Sequence, residues 1–210
     1  MPEHAFNDVI TSLAELRALV GEPAERSVKK ETAALDGYAR EFIAHSPFVL
    51  IATAGAEGRC DVSPKGGAPG FVVVLDDARL VMPDRPGNRR LDGMQNILQN
   101  GHVGLIFMIP GREDTLRVNG RAWVVRDAEL LDRMIVADKR PPLGIGVVVE
   151  ECYFHCAKAF RRAGLWNAQA WPDPTIVASF ATMLHDRTKA SCTVEELERD
   201  IEERTRTQLY

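Results

Sequence analysis

The sequence lacks the features of several protein classes. Its longest apolar runs, such as "HVGLIFMIP", are too short to cross a bilayer, and no basic start followed by an apolar run marks a signal peptide. The formal net charge is −4, and no long basic stripe is present, which argues against nucleic-acid binding. We therefore expect no membrane and no nucleic-acid partner.

Cysteine is scarce, with four residues at Cys60, Cys152, Cys156 and Cys192. In a chain without a signal peptide these predict free thiols in a reducing cytoplasm. The stretch "CYFHC" contains zinc-ligand types, but on a strand Cys152 and Cys156 would face one side and His155 the other. A second Cys-x-x-Cys pair is also missing, so we predict no metal site.

What is present is a change of hydrophobic period along the 210 residues. Residues 1–45 repeat apolar positions at helical spacing and form an N-terminal helical extension. Residues 46–170 contain short runs rich in Val, Ile and aromatics between turn residues, typical of strands. Residues 171–210 become helical again, with a Ser/Thr-x-x-Glu capping box in "TVEELERDIEERTRTQLY", and we expect them to pack on the central domain.

Six or seven short strands with only two helices between them, at about 90–99 and 128–136, do not make parallel βαβ units. Antiparallel closure into a small barrel fits better. We predict a mainly β fold with peripheral helices, of the α+β class. Since a small barrel fills its interior with side chains, a ligand has to bind outside it or at a seam between subunits.

One motif predicts a phosphate site. In "VMPDRPGNRRLDGMQN" a strand end leads through a Pro/Gly turn into a predicted helix, and Arg85, Arg89 and Arg90 flank Gly87. Unpaired N–H groups at a helix start attract anions. Arginine forks match phosphate oxygens in a bidentate way. An ordinary solvated helix start is the alternative interpretation.

Three motifs in order, "SPKGGAPGFV", "PDRPGNRRLD" and "LRVNG", are joined by a strand pattern. Together they resemble the FMN-binding split β-barrels related to pyridoxamine 5'-phosphate oxidase, over roughly residues 45–170. The resemblance implies an antiparallel split β-barrel and an FMN cofactor. It also implies an oxidoreductase acting on a small molecule, and a homodimer in which the flavin lies in the groove between subunits.

The resemblance also implies roles for individual residues. Arg89 and Arg90, after Gly87 and Asn88, together with Lys65, would hold the flavin phosphate. Thr115 occupies the place of a flavin-contacting glutamine and offers one hydrogen bond with shorter reach. Further contacts to the isoalloxazine ring and ribityl chain are implied for Val62, Ser63, Pro64, Met82, Pro83 and Asp84.

The reaction is less well specified than the cofactor. No catalytic residue is identified, and His155, Lys158 and Arg161 are candidates for a basic substrate face. The string "MLHDR" at 183–187 is similar to a substrate-binding string of true pyridoxamine phosphate oxidases, but it falls in a predicted helix and is interpreted as a chance match. Two alternatives stay open: a flavin-binding or sensor protein without turnover, and a haem-binding split-barrel relative. The five histidines single out no axial ligand.

The two neighbouring arginines are predicted to differ. If both lie in the first turn of the helix, Arg90 shares a face with Met94, Ile97 and Leu98, at spacings of three and four. That face would pack on the barrel, where the phosphate is expected. The sequence therefore predicts that Arg90→Ala weakens FMN binding more than Arg89→Ala.

Overall fold

The computed structural model describes residues 6–210. The chain forms two compact units, one ending at Glu31 and one beginning at Thr32. The smaller unit contains helices α1 (Leu13–Val20) and α2 (Glu25–Lys29), neither of which buries a residue. Helix α1 begins where the Ser12 hydroxyl accepts a hydrogen bond from the Glu15 N–H, which is the usual chemistry of a helix N-cap.

The larger unit is built on one seven-stranded antiparallel sheet with the strand order β2-β1-β5-β6-β7-β4-β3. Its edges are β2 and β3. This confirms the predicted mainly β, α+β fold with an antiparallel, split arrangement. The strands are β1 (Phe48–Ala54), β2 (Cys60–Gly66), β3 (Val73–Val74), β4 (Arg79–Pro83), β5 (His102–Met108), β6 (Thr115–Val125) and β7 (Gly144–His155).

Helices surround the sheet, and none between residues 6 and 210 is long and apolar enough to cross a membrane. Helix α8 begins with the predicted capping box, in which Thr193 and Glu196 each accept a backbone N–H. The helices of this unit are α3 (Gly37–His45), α4 (Asp92–Gln99), α5 (Ala128–Asp132), α6 (Lys158–Ala163), α7 (Phe180–Thr188) and α8 (Val194–Thr207).

The core lies between the sheet and two of these helices. Alternate residues of β5 and β6, such as Phe107 and Leu116, are fully buried. Helix α3 contributes Ile43, and helix α4 contributes Met94 and Ile97. Each such side chain stabilises the fold by about 1.5–3 kcal/mol relative to exposure. The packing of Met94 and Ile97 fixes α4 on the sheet, and with it the loop that precedes α4.

Strands β6 and β7 form the longest pairing. Thr115 pairs with His155 at one end and Val125 pairs with Gly144 at the other. The register shifts at Gly120, where an added Cβ would overlap the carbonyl oxygen of Val148. A glycine is therefore required at this bulge. At about 3.3 Å per residue, β7 spans at most roughly 36 Å.

Candidate ligand-binding site

A cavity of about 1040 Å³, the main cavity, lies where strand β2 meets the 84–91 loop and the start of α4. Six residues of the predicted cofactor set line it. They come from two stretches of sequence, in β2 and directly after β4, which lie toward opposite sides of the sheet in strand order but are close in space, as the Lys65–Asp84 ion pair shows. These lining residues are Ser63, Lys65, Asp84, Asn88, Arg89 and Arg90.

Strand β2 presents Ser63 and Lys65 to this cavity because side chains alternate along a strand. Both are half-buried, whereas Val62 between Asp61 and Ser63 is 60% exposed. Val62 lines neither of the two cavities described here. The predicted cofactor set contains four consecutive residues of β2, from Val62 to Lys65. Of these, Ser63 and Lys65 share the face that a ligand in the main cavity would contact.

The 84–91 loop has an unusual backbone. Arg89 and Leu91 both have φ of 59°, a left-handed conformation that costs a non-glycine residue roughly 1–2 kcal/mol. The Asn88 side-chain oxygen accepts a hydrogen bond from the Arg90 N–H at 3.0 Å. This is a local turn of the kind that Asn stabilises. The loop therefore holds Asn88, Arg89 and Arg90 in a bend before the helix, not within it.

Helix α4 begins at Asp92, two residues later than the sequence predicts, and this changes the position of Arg90. The Arg90 side chain is 67% exposed and does not lie against the sheet. Met94 and Ile97 are buried as predicted, but Leu98 is 77% exposed. The predicted face was wrong for Arg90, because the left-handed residue Leu91 interrupts the helical spacing, and it was wrong for Leu98, which faces solvent within α4.

Cations outnumber carboxylates around the main cavity. Five basic side chains and three acidic ones line it, which leaves a formal charge of five minus three, or +2. An anion is the ligand that such a balance favours. The basic residues are Lys65, Arg85, Arg89, Arg90 and Arg204, and the acidic residues are Asp61, Asp84 and Asp92.

Two ion pairs organise these charges. The Arg90 Nε donates to Asp92 at 2.8 Å, and this hydrogen bond lowers the pKa of Asp92 and raises the pKa of Arg90. Lys65 Nζ lies 3.7 Å from Asp84, so the lysine is held near the cavity without a tight hydrogen bond. A bound anion would compete with both carboxylates for these cations.

Arg85 lies at the junction of the main cavity with a second, smaller cavity. It donates a hydrogen bond to the Met134 carbonyl at 2.7 Å, its guanidinium lies 5.3 Å from the centre of the Tyr210 ring, and burial lowers its pKa. A smaller side cavity of about 680 Å³ adjoins the main cavity, and Pro64, Pro83 and Tyr210 line it. Arg85 lines both cavities.

Sequence reasoning missed the residues that α8 and the segment after it bring to the site. Arg204 and Gln208 line the main cavity, and Leu209 and Tyr210 line the side cavity. They lie more than a hundred residues after the motif. The polar pattern of α8 is typical of a solvated helix face, so no signal in the sequence linked them to it.

The other predicted residues lie elsewhere. Met82 is fully buried in the core. Thr115 is buried beside its strand partner His155, and neither residue lines the main cavity. Lys158 begins α6 just beyond β7. Arg161 on the same helix donates to Glu113 at 2.6 Å.

The cysteines differ in exposure. Cys152 is buried, and burial together with the nearby charge of Asp36 raises the pKa of its thiol to about 11. Cys60 is exposed. Since the thiolate is the reactive form, Cys152 is a core residue of β7 and not a nucleophile.

Comparison with known proteins gives one clear result. The family model described as pyridoxamine 5'-phosphate oxidase matches residues 35–156. This range includes β1 to β7 and the 84–91 loop, but not α6, α7 or α8. No curated protein matches the chain.

Solved structures resemble this fold at low identity. A HupZ variant from Group A Streptococcus is 17% identical, with a TM-score of 0.48, over 58% of this chain and 99% of the other. A Lactobacillus delbrueckii protein, provisionally assigned as a pyridoxamine 5'-phosphate oxidase, is 22% identical with a TM-score of 0.47, over 58% and 95%. HutZ, a haem storage protein from Vibrio cholerae, is 17% identical with a TM-score of 0.40, over 58% and 93%.

Proposed function

This chain belongs to the pyridoxamine 5'-phosphate oxidase family, and we propose that it binds FMN in the main cavity and acts as an oxidoreductase on a small molecule. One observation carries the proposal. Lys65 from β2 lines the same cavity as Arg89 and Arg90 from the 84–91 loop, and the lining has an excess of two positive charges.

The phosphate of FMN fits this charge. A phosphate monoester carries about −1.5 to −2 at pH 7, which matches the formal +2 of the lining. Asn88 and Ser63 add neutral polar groups, and Leu91, the N-cap residue of α4, has no side-chain oxygen to occupy the first N–H groups of that helix. Those groups favour an anion at the same place.

The remainder of the lining suits an aromatic ring system. Ile51, Met94 and Ile145 provide apolar surface beside the polar groups, as is usual for cofactor cavities. Bound FMN would supply two-electron chemistry, and the protein would orient it and tune it by hydrogen bonds and charge. The Ser63 hydroxyl on β2, which lines the main cavity, would donate to the bound flavin.

We propose in addition that the protein is a homodimer with a shared site. Thr115 and the candidate substrate residues His155, Lys158 and Arg161, at or just beyond the His155 end of β7, line neither cavity in one chain. A two-fold related copy can bring this end of its β7 to the cavity of the first. The cytoplasmic location stays a prediction from the cysteine content.

The alternatives differ in observable ways. Among residues 6–210 no histidine lines either cavity, so a haem bound here would lack a histidine ligand from the cavity wall. The absorption spectrum of the purified protein distinguishes flavin from haem. A steady-state assay with NAD(P)H and an electron acceptor distinguishes an enzyme from a protein that only binds flavin.

The test is a titration with FMN and with riboflavin, which differ only in the phosphate. We expect FMN to bind at least tenfold more tightly, because one charge-assisted hydrogen bond contributes about 1.5–3 kcal/mol. Lys65→Met should reduce this preference, and Lys29→Met, on the exposed helix α2, should not. Equal affinity for the two flavins would overturn the proposed phosphate site.

A further inference from the structure

The side cavity differs from the main cavity in charge and in lining. Five residues that line the side cavity alone are apolar or aromatic. Of the residues that the structure describes, no Asp or Glu lines the side cavity, whereas three carboxylates line the main cavity. Lys65 and Arg85 line both, so the side cavity has two cations, no carboxylate and a formal charge of +2. The five residues are Pro64, Phe71, Pro83, Leu209 and Tyr210.

Two aromatic side chains of the side cavity are held in place. Phe71 packs against the core and against the backbone of Gly67, where an added Cβ would lie 2.7 Å from the Phe71 Cβ. Tyr210 is held by its main-chain oxygen, which accepts a hydrogen bond from Lys139 Nζ at 2.6 Å, and its ring lies 5.3 Å from the Arg85 guanidinium. Aromatic rings pack favourably on one another. A planar ring is therefore the group that these walls suit.

Arg85 is the cation of this cavity that the protein leaves without a carboxylate partner. Its side chain is half-buried, and burial lowers its pKa because the charged form loses contact with water. Within residues 6–210 its polar contacts are the hydrogen bond to the Met134 carbonyl at 2.7 Å and the Tyr210 ring. That hydrogen bond occupies one of the five N–H groups of the guanidinium. The others can donate to a ligand in the side cavity.

These charges suit a ligand with one negative group. Lys65 Nζ lies 3.7 Å from Asp84, so a carboxylate of the main cavity offsets part of the lysine charge. Arg85 has no such partner, and a carboxylate matches the arginine fork with two parallel hydrogen bonds. A ligand with two negative groups would reach a second cation only by competing with Asp84 for Lys65. The favoured ligand is therefore a monoanion.

We propose that the side cavity binds a small aromatic monocarboxylate, whose ring contacts Phe71 and Tyr210 and whose carboxylate accepts hydrogen bonds from Arg85. This site goes beyond the proposed function, because FMN is assigned to the main cavity and the two aromatic residues line only the side cavity. The volume of about 680 Å³ is within the usual range of small-molecule sites. Binding of this ligand does not require a flavin.

The first test is isothermal titration of the full chain with 2-naphthoate and with 2-naphthylmethanol. The two probes share a fused ring system and differ in charge. We expect 2-naphthoate to bind about tenfold or more tightly than the alcohol, since only the carboxylate makes a charge-assisted hydrogen bond with Arg85. Equal affinity for the two probes, or no binding of millimolar 2-naphthoate, would overturn the proposed site.

Three variants assign the contacts. Arg85→Gln should weaken 2-naphthoate binding about tenfold and bring its affinity close to that of the alcohol. Arg85→Lys keeps the charge but loses the fork, so it should retain part of the affinity. Tyr210→Leu should weaken the binding of both probes about threefold to tenfold, because either probe loses an aromatic contact.

Arg89→Gln is the matched control. Arg89 lines only the main cavity, and salt screens an exposed charge that a ligand does not contact. The variant should therefore keep the affinity for 2-naphthoate within about twofold of the full chain. FMN titration of the same variant tests the proposed function separately.

The outcomes distinguish the side cavity from the main cavity. If Arg89→Gln weakens 2-naphthoate binding as much as Arg85→Gln does, or if Tyr210→Leu changes the affinity for neither probe, the assignment to the side cavity is overturned. Weaker binding in Arg85→Gln and Tyr210→Leu but not in Arg89→Gln supports it. Circular dichroism checks that each variant folds. If Arg85→Gln does not fold, Tyr210→Leu and the comparison of the two probes still decide the test.

Discussion

Arg89 and Arg90 are neighbours in the sequence but are held differently. Arg90 is tied to Asp92 by its Nε and Nη2, so two of its donor groups are occupied. Within residues 6–210 the Arg89 side chain makes no hydrogen bond or ion pair, and its left-handed backbone points it away from the helical path. Arg89 is therefore the cation with the most donors available to a ligand in the main cavity.

The contacts reverse the order of effects that the sequence predicts. We expect Arg89→Ala to weaken FMN binding about tenfold or more, since a charge-assisted hydrogen bond contributes about 1.5–3 kcal/mol. Arg90→Ala should cost less, because two donor groups of Arg90 are already bound to Asp92. Arg89→Lys should restore only part of the affinity, since the planar fork is lost. Isothermal titration of the three variants measures this, and a larger loss in Arg90→Ala would restore the original order.

Cys152 and Cys60 should differ in reactivity. Since burial raises the pKa of Cys152 to about 11, only about one thiol in a thousand is ionised at pH 8, three units below. We expect a thiol reagent at pH 8 to label Cys60 within minutes and to leave Cys152 unmodified until denaturant is added. Mass spectrometry of the peptides reads this out, with Cys60→Ser as the control. Rapid labelling of Cys152 in the folded protein would contradict its burial.

At the scale of elements, the bulge between β6 and β7 sets the course of both strands. Gly120 is in contact with the Val148 backbone, and backbone cannot move aside as a flexible side chain can. The pairs on either side of the bulge include Val118 with Cys152 and Ala122 with Val147. A change at Gly120 would therefore disturb the pairing at the centre of the sheet.

Gly120→Ala should destabilise the protein by about 2 kcal/mol or more, in the range of overpacked or strained sites. Gly37→Ala is the matched control. An added Cβ at Gly37 meets nothing within 4 Å at the first residue of α3, so that variant should be neutral or slightly stabilising. Urea denaturation followed by circular dichroism gives both values. Equal stability of the two variants would show that the bulge tolerates a side chain.

The sequence predicts elements better than it predicts the connections between them. Short runs rich in Val, Ile and aromatics between turn residues identified the strands, and Thr193 with Glu196 identified the start of α8, because both signals are local. The left-handed residue Leu91 was not predictable, since a bulky residue adopts that backbone only where surrounding packing imposes it. For the same reason the helix was placed two residues early, and Arg90 was assigned the wrong face.

At the scale of the whole molecule, one chain leaves the predicted site residues in two groups. Lys65, Arg89 and Arg90 line the main cavity, whereas Thr115 and His155 form the end pair of β6 and β7 and line neither cavity. Sequence motifs identified both groups but could not show which residues the folded sheet brings to one cavity. Arg204, Gln208 and Tyr210 were missed for a related reason, since their place beside the 84–91 loop is a tertiary contact without a local signal.

A shared site requires that FMN binding and association go together. We expect light scattering at micromolar concentration to give the mass of a dimer, because two-fold pairing is the commonest way to complete a site at a seam. Across a dilution series, sedimentation should show the dimer dissociating. The affinity for FMN should fall over the same range of protein concentration. A monomer that binds FMN as tightly as the dimer would rule out the shared site.

The pairing of β4 with β7 has a consequence for the order in which the chain acquires its structure. Val81 pairs with Gly146, and the 84–91 loop directly follows β4. During synthesis the loop therefore leaves the ribosome well before the strand that fixes it. Pairing Val81 with Gly146 closes the long segment between them, and this is slow compared with forming a hairpin or a helix. The arginines of the loop are present early, but a nascent chain can capture a cofactor there only after residues 144–148 have emerged and paired.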